Sequence, residues 1–215
     1  MTSLAARLES GADGDGAVTF VGSAMGPDAG SERADRVSWN ELHSDARAMA
    51  TALQARGVTP GSHVALIGPT SRALVTALQA TWLAGAAVVA LPLPMRLGSI
   101  EEFVEQTRAR IERAHAALVV IDAELAAFLD PPPRAPVLTL AALAADARRI
   151  GGDALETVRA DPDRLAILQF TSGSTAEPKG VMLPDRCLLA NIDAIARALG
   201  ISGADRAVSW LPLYH

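Results

Sequence analysis

The chain has almost no thiol, few aromatic rings, no excess of positive charge and no apolar run long enough to cross a bilayer. Its one cysteine, Cys187, cannot form an intramolecular disulfide. That excludes a small secreted scaffold held by bridges and fits a reducing compartment. Cys187 stands beside Leu188 and Leu189 in a helical pattern, so it is expected near the core rather than as a nucleophile. Aromatics make up 4% of the residues while alanine is abundant, which favours helices with small side chains. With 19 basic and 24 acidic residues the formal net charge is -5, so no nucleic-acid partner working through a basic surface is expected. The most apolar stretch, Trp82 to Met95, is interrupted by Gly85, Pro92 and Pro94 and is too short for a transmembrane segment. The opening "MTSLAARLESGADGDG" lacks a basic start followed by an apolar run, so no signal peptide is read and a cytoplasmic location is expected. His43, His63 and His115 are scattered without metal-ligand spacing and receive no role.

What is present is an ordinary globular composition: 215 residues, half hydrophobic and a fifth charged. A chain of that size can bury about 70% of the surface its unfolded form exposes. Strand-like and helix-like runs alternate. "AVTFVG" (Ala17 to Gly22) reads as a strand and "GPDAGSERAD" (Gly26 to Asp35) as a polar loop. Ser38 and Glu41 form a capping-box pattern ahead of apolar positions at Leu42, Ala46, Met49 and Leu53, and Gly57 suits a left-handed C-cap. "HVALIG" is a strand buried on both faces, Leu74, Leu78 and Trp82 mark a helix, and "AAVVALPL" is the next strand. Ile100, Phe103, Thr107, Ile111 and Ala114 give another helix, "ALVVID" another strand, and Leu140 to Arg149 a short helix. "LAILQF" (Leu165 to Phe170) is a strand, "VML" resumes extended structure, and Leu188, Ile192, Ile195 and Leu199 define a strong helix. "AVSWLPLYH" (Ala207 to His215) begins as a strand. This order predicts an α/β fold with a mostly parallel sheet flanked by helices.

The stretch with chemistry follows "LAILQF". "TSGSTAEPKG" supplies Thr171, Ser172, Gly173, Ser174, Thr175, Lys179 and Gly180. Glycine lets backbone N–H groups approach an anion, hydroxyls add donors and can reach a magnesium ion, and lysine adds a mobile charge. A loop after a buried strand is where α/β sheets place ligands. The pattern is not a Walker loop, because Pro178 stands where glycine is needed before Lys179 and Gly180 replaces the Ser or Thr. A flexible Ser/Gly linker and a hairpin with no ligand are the other readings.

"LQFTSGSTAEPKGVML" (Leu168 to Leu183) resembles the phosphate-loop signature of the adenylate-forming superfamily, which includes acyl-CoA synthetases, luciferases and nonribosomal adenylation domains. "SWLPLYH" (Ser209 to His215) resembles a second motif of that superfamily. The tryptophan before "LPLYH", together with "LQFTSGST", is most similar to the fatty acyl-AMP ligases. The stretches "ALPLPMRLGSIEEFVEQTRARIERAHAALVVID" and "RVSWNELHSDARAMATALQARGVTPGSHVALIG" fit the same subgroup. One position departs from the pattern: Ala176 stands where the family usually has glycine. If the position needs positive φ, alanine adds strain of about 1–2 kcal/mol.

The resemblance implies an ATP-dependent enzyme that activates a fatty acid to acyl-adenylate and pyrophosphate, for transfer to an acyl carrier protein or polyketide synthase. It assigns the ATP phosphates and Mg2+ to Thr171, Ser172, Gly173, Ser174, Thr175, Lys179 and Gly180, and the substrate pocket to Trp210, Tyr214 and His215. On packing grounds Trp210 and Tyr214 read as wall and core. No catalytic residue and no direct protein metal site is assigned. Residues 1–215 correspond to the N-terminal portion of the large adenylating domain, with connectors near 130–136 and 150–163. The adenine pocket, ribose-binding acid, hinge, C-terminal lid and catalytic lysine are expected beyond residue 215, so this piece alone is expected to be inactive. Edges and faces left uncovered are expected to make it self-associate. Two other readings stay open: a fatty acyl-CoA synthetase of the same superfamily, and a non-catalytic nucleotide- or partner-binding module.

Overall fold

Hydroxyl side chains start five of the helices. Ser3, Ser38, Ser71, Ser99 and Thr139 each accept the backbone N–H three residues on, at 3.0–3.2 Å. They open α1 (Leu4–Ala12), α2 (Trp39–Ala55), α3 (Arg72–Leu83), α4 (Ile100–Arg113) and α5 (Leu140–Ile150). Each cap of this kind contributes about 1 kcal/mol. The α4 helix also carries Glu101 and Glu102 in its first turn and Arg110 and Arg113 in its last, matching the helix dipole. The sixth helix, α6 (Asp185–Leu199), follows Pro184 with no side-chain cap and ends at Gly200 in the left-handed region, φ 63°. The computed structural model describes residues 3–23, 32–93, 99–171 and 179–213.

Two strands, β1 (Ala17–Ser23) and β2 (Glu32–Ser38), form a separate antiparallel pair. The main sheet contains β3 (His63–Ile67), β4 (Ala87–Ala90), β5 (Leu118–Ile121), β6 (Val137–Thr139), β7 (Leu165–Phe170) and β8 (Gly180–Pro184). Its order is β6-β5-β3-β4-β7-β8; every neighbouring pair is parallel except the last, β7 with β8. The alternation of strand side chains divides the core in two. Val64, Leu66, Val88, Leu118 and Val120 face α2, α3 and α5, while Ala65, Ile67, Val89, Val119 and Ile121 face α4 and the 3-10 turn Ala123–Leu129. Burying a Leu, Ile or Val side chain contributes about 1.5–3 kcal/mol, so these two layers hold the sheet.

The expected α/β fold with its mostly parallel sheet is what the structure has. Three local expectations are corrected, and one helix forms as expected with its apolar stripe uncovered. Glu32–Asp35 belong to β2 rather than to a loop, because they pair with Val21, Gly22, Ser23 and Phe20 of β1. Cys187 is exposed, not near the core. The α6 stripe forms a helix as expected, but Ile192, Ile195 and Leu199 are exposed: the only buried residue of α6 is Asp185. The segment from Ala207 is not a strand over its described residues.

Candidate functional site

The connection after β3 passes over one face of the sheet through α3, and the connection after β4 passes over the other through α4. Two adjacent parallel strands whose connections leave in opposite directions open a crevice beyond their carboxyl ends, the usual ligand position in such sheets. Here the crevice lies beyond Ile67 and Ala90. Its floor is fixed by Leu91 N–H donating to the Leu66 carbonyl at 3.0 Å and Asp122 N–H donating to the Ile67 carbonyl at 2.8 Å.

Strand β7 lies next to β4, with Ile167 opposite Val88, so its carboxyl end reaches the same edge of the sheet. The hydroxyl-rich segment leaves from there. Phe170 pairs with Gly180, and Thr171 N–H donates to the Lys179 carbonyl at 3.0 Å, so a narrow neck closes the segment into a hairpin loop. Thr171, Lys179 and Gly180 are exposed at that neck. Lys179 is the only lysine among the 19 basic residues. A Cβ on Gly180 would lie 3.0 Å from Leu168 Cδ1 and 3.6 Å from Phe170 Cε1, so glycine lets the two strands close over those side chains. Ser172, Gly173, Ser174, Thr175 and Ala176 lie outside the described residues.

The second motif segment returns to the same place. Leu213 lines a small apolar cleft with Leu66, Gly68, Leu74, Leu78, Ala90 and Leu91, at the ends of β3 and β4. Trp210, three residues earlier, is 86% exposed and takes no part in a core. Tyr214 and His215 lie outside the described residues. Thus Thr171, Lys179 and Gly180 come together at the sheet edge with Leu213, a residue that sequence reasoning did not single out; its place inside "SWLPLYH" was the available signal. Among the described residues no cluster of three or more His, Cys, Asp or Glu could hold a metal ion.

The opposite end of the hairpin is also anchored. Asp185 N–H donates to the Arg164 carbonyl at 2.9 Å and Arg186 N–H to the Pro162 carbonyl at 3.0 Å. The Asp185 carboxylate, 8% exposed, accepts the backbone N–H of Leu4 at 3.2 Å. Burial pushes the Asp185 carboxyl above its ordinary value, opposed by the Leu4 N–H and the Arg164 charge. Nothing in the local sequence marks Asp185 as more than a first-turn acid.

The AMP-binding enzyme family matches this chain over residues 16–215. The chain belongs to the AMP-binding enzyme family. A provisionally named acyl-CoA synthetase of Caulobacter vibrioides (strain NA1000 / CB15N) is 34% identical over 185 residues, covering 86% of this chain and 32% of that protein. The phenyloxazoline synthase MbtB of Mycobacterium tuberculosis (strain ATCC 25618 / H37Rv) is 35% identical over 179 residues, covering 82% of this chain and 11% of its own length. Among solved structures, one from a study of fatty acyl-adenylate ligases of E. coli and L. pneumophila superposes with a TM-score of 0.84 at 28% identity. It covers 100% of this chain and 38% of that one. The chain therefore spans about a third or less of the length of these relatives. Its sheet and helices match the N-terminal part of an adenylate-forming enzyme. Among the described residues no helix is long and apolar enough to cross a membrane.

Proposed function

We propose that this chain is the phosphate-gripping portion of an ATP-dependent ligase that activates a fatty acid as an acyl-adenylate, releasing pyrophosphate. The observation that carries this reading is the convergence at one sheet edge. The neck between Thr171 and Lys179 stands beside β4, and Leu213 of the second motif stands at the ends of β3 and β4. Membership of the AMP-binding family supports nucleotide chemistry in general. The likeness to fatty acyl-adenylate ligases at 28% identity supports a fatty acid as the acid.

In this reading each residue has a stated task. Lys179 brings a mobile positive charge to the phosphate tail from one side of the neck, and the Thr171 hydroxyl brings a donor from the other. Ser172, Ser174 and Thr175 add hydroxyls, while Gly173 and Gly180 leave backbone N–H groups uncovered. ATP bound with magnesium would supply the adenylyl group: the acid's carboxylate bonds to the α-phosphorus as the bond from that phosphorus to the pyrophosphate oxygen breaks. The loop offsets charge that accumulates on the departing pyrophosphate, and Lys179 acts there as a charge and not as a base. Trp210, Tyr214 and His215 belong to the acid-binding side, with Leu213 seating their segment at the crevice. A carrier protein or polyketide synthase receives the acyl group.

Residues 1–215 then form one portion of the large adenylating domain, with connectors near 130–136 and 150–163 inside it. Calorimetry with Mg-ATP on the intact protein and on its Lys179→Ala variant tests the loop. Heat of binding that falls in the variant supports it, and identical heats in both would refute it. The likeness to an acyl-CoA synthetase favours a second reading, in which coenzyme A takes the acyl group. Assay of the intact protein with fatty acid, ATP and coenzyme A separates the two: rapid thioester release selects the synthetase.

A further inference from the structure

We infer that Trp82 is a positioning residue for the loop, acting through a bulge in β7; the loop's role rests on the reading just proposed. At the base of the hairpin Leu165 faces Pro184, but the next pair is Ile167 with Leu183, so Ala166 is an extra residue on β7. A bulge residue drops out of the ladder. Ala166 is 1% exposed and faces no residue of β8; its carbonyl accepts the indole Nε1–H of Trp82, reaching over from α3, at 2.9 Å. Indole offers a donor and no acceptor, which suits a carbonyl that has a second lone pair to fill.

Shape alone does not hold the bulge in place. Behind it lies a cavity of about 240 Å³ whose lining includes Trp82, Leu155, Val158, Leu165 and Asp185, so the packing there is incomplete. The hydrogen bond fastens Ala166 to α3 and so favours it as the extra residue of β7.

That choice sets everything toward the tip. After the bulge the pairs run Ile167 with Leu183, Leu168 with Met182, Gln169 with Val181 and Phe170 with Gly180, and they deliver Thr171 to Lys179. Without the extra residue, each β7 residue would face the neighbour of its present partner, Phe170 would oppose Lys179, and every β8 side chain would change faces. Strand β7 is itself tied to β4, whereas β8 is the last strand of the sheet, so a slip falls on β8 and hence on Lys179. Gly180 rejects the alternative as well, since a side chain in its place would press on Leu168.

The test uses Trp82→Phe and, to keep the ring's shape, replacement of Trp82 by benzothienylalanine, which lacks the N–H. Amide hydrogen exchange and Mg-ATP titration are read on both and on the unmodified protein, each in its intact form. The Thr171 amide should exchange about tenfold faster, the factor expected for one hydrogen bond of ordinary net strength, while the Asp122 amide, bonded to Ile67, keeps its rate. The dissociation constant for Mg-ATP should rise by about the same factor. Unchanged exchange at Thr171 in the benzothienylalanine variant overturns the inference, as does an equal acceleration at Thr171 and Asp122. If the intact protein with Trp82 unchanged binds no Mg-ATP, the phosphate-loop reading fails, and the exchange comparison still decides the role of Trp82.

Discussion

The Asp185 carboxylate accepts the backbone N–H of Leu4 across 181 positions of sequence, at 3.2 Å. It joins the first turn of α1 to the first turn of α6. A second link runs beside it, Arg7 Nη2 to Asp193 Oδ1 at 2.7 Å. The N-terminal helix is thereby fastened to the unit that carries the hairpin, and the fastening contains a buried acid.

Asp185 gives the first prediction. Its carboxyl is raised, mainly by burial, so the folded chain holds this proton more tightly than the unfolded chain does. Its contribution to stability is therefore full below the unfolded value of 3.8 and is lost as pH rises from there through the folded value. Asp185→Asn keeps an acceptor for Leu4 and should flatten this pH dependence in thermal melts. Asp185→Ala leaves the Leu4 N–H without its partner and should cost about 1–3 kcal/mol.

Lys179 offers a chemical test because an amine reagent finds only its side chain and the α-amino group in this chain. Mg-ATP at about ten times its dissociation constant should slow labelling of Lys179 by about tenfold, with the α-amino group as the internal control. Peptide mass mapping reads both rates; equal rates with and without nucleotide would remove Lys179 from the phosphate grip.

Arg72 joins three elements: its guanidinium meets Asp35 of β2 at 3.4 Å and Glu41 and Asp45 of α2 at 2.7 and 2.8 Å. Hydrogen bonds to Asp45 and Glu41 raise its pKa further above the ordinary arginine value. All four side chains are partly open to solvent, so Arg72→Ala should cost only about 1–2 kcal/mol in urea unfolding. The loss should shrink at about 0.5 M salt. Arg72→Lys should recover little, because one ammonium cannot serve three carboxylates in a fork.

The exposed stripe on α6 predicts association. Ile192, Ile195 and Leu199 are 46%, 48% and 72% exposed, and Met182 on the terminal strand β8 is 68% exposed. Sedimentation of the 215-residue chain should show a coefficient that rises with concentration. The double variant Ile195→Glu, Leu199→Glu should stay monomeric and keep its stability within about 0.5 kcal/mol, since these side chains pack on little within the chain.

Much of this molecule was legible before any coordinates. The Ser38 cap, the left-handed Gly57 and the two-sided burial of Val64, Ala65, Leu66 and Ile67 follow from local preferences, and all appear. The box at Ser38 is completed only in part as expected: Ser38 caps Glu41 N–H, while the Glu41 carboxylate binds Arg72. Periodicity found α6, but it could not reveal whether anything covers the apolar face. Cys187 was misplaced for the same reason. The hydroxyls and lysine of the candidate loop were equally plain in the sequence, because donors and charge are properties of residue type.

The sequence by itself determined the alternation of strands and helices, where the helices start, and the chemistry gathered between Thr171 and Gly180. These depend on neighbours within a few positions. Only the tertiary structure decided that β8 runs antiparallel, that Ala166 is the extra residue under Trp82, that Leu213 reaches the ends of β3 and β4, and that Asp185 holds Leu4. Each of those depends on groups distant along the chain that share one hydrogen bond or one apolar contact. Such pairings are selected by the packing of the whole sheet, and no local pattern encodes them.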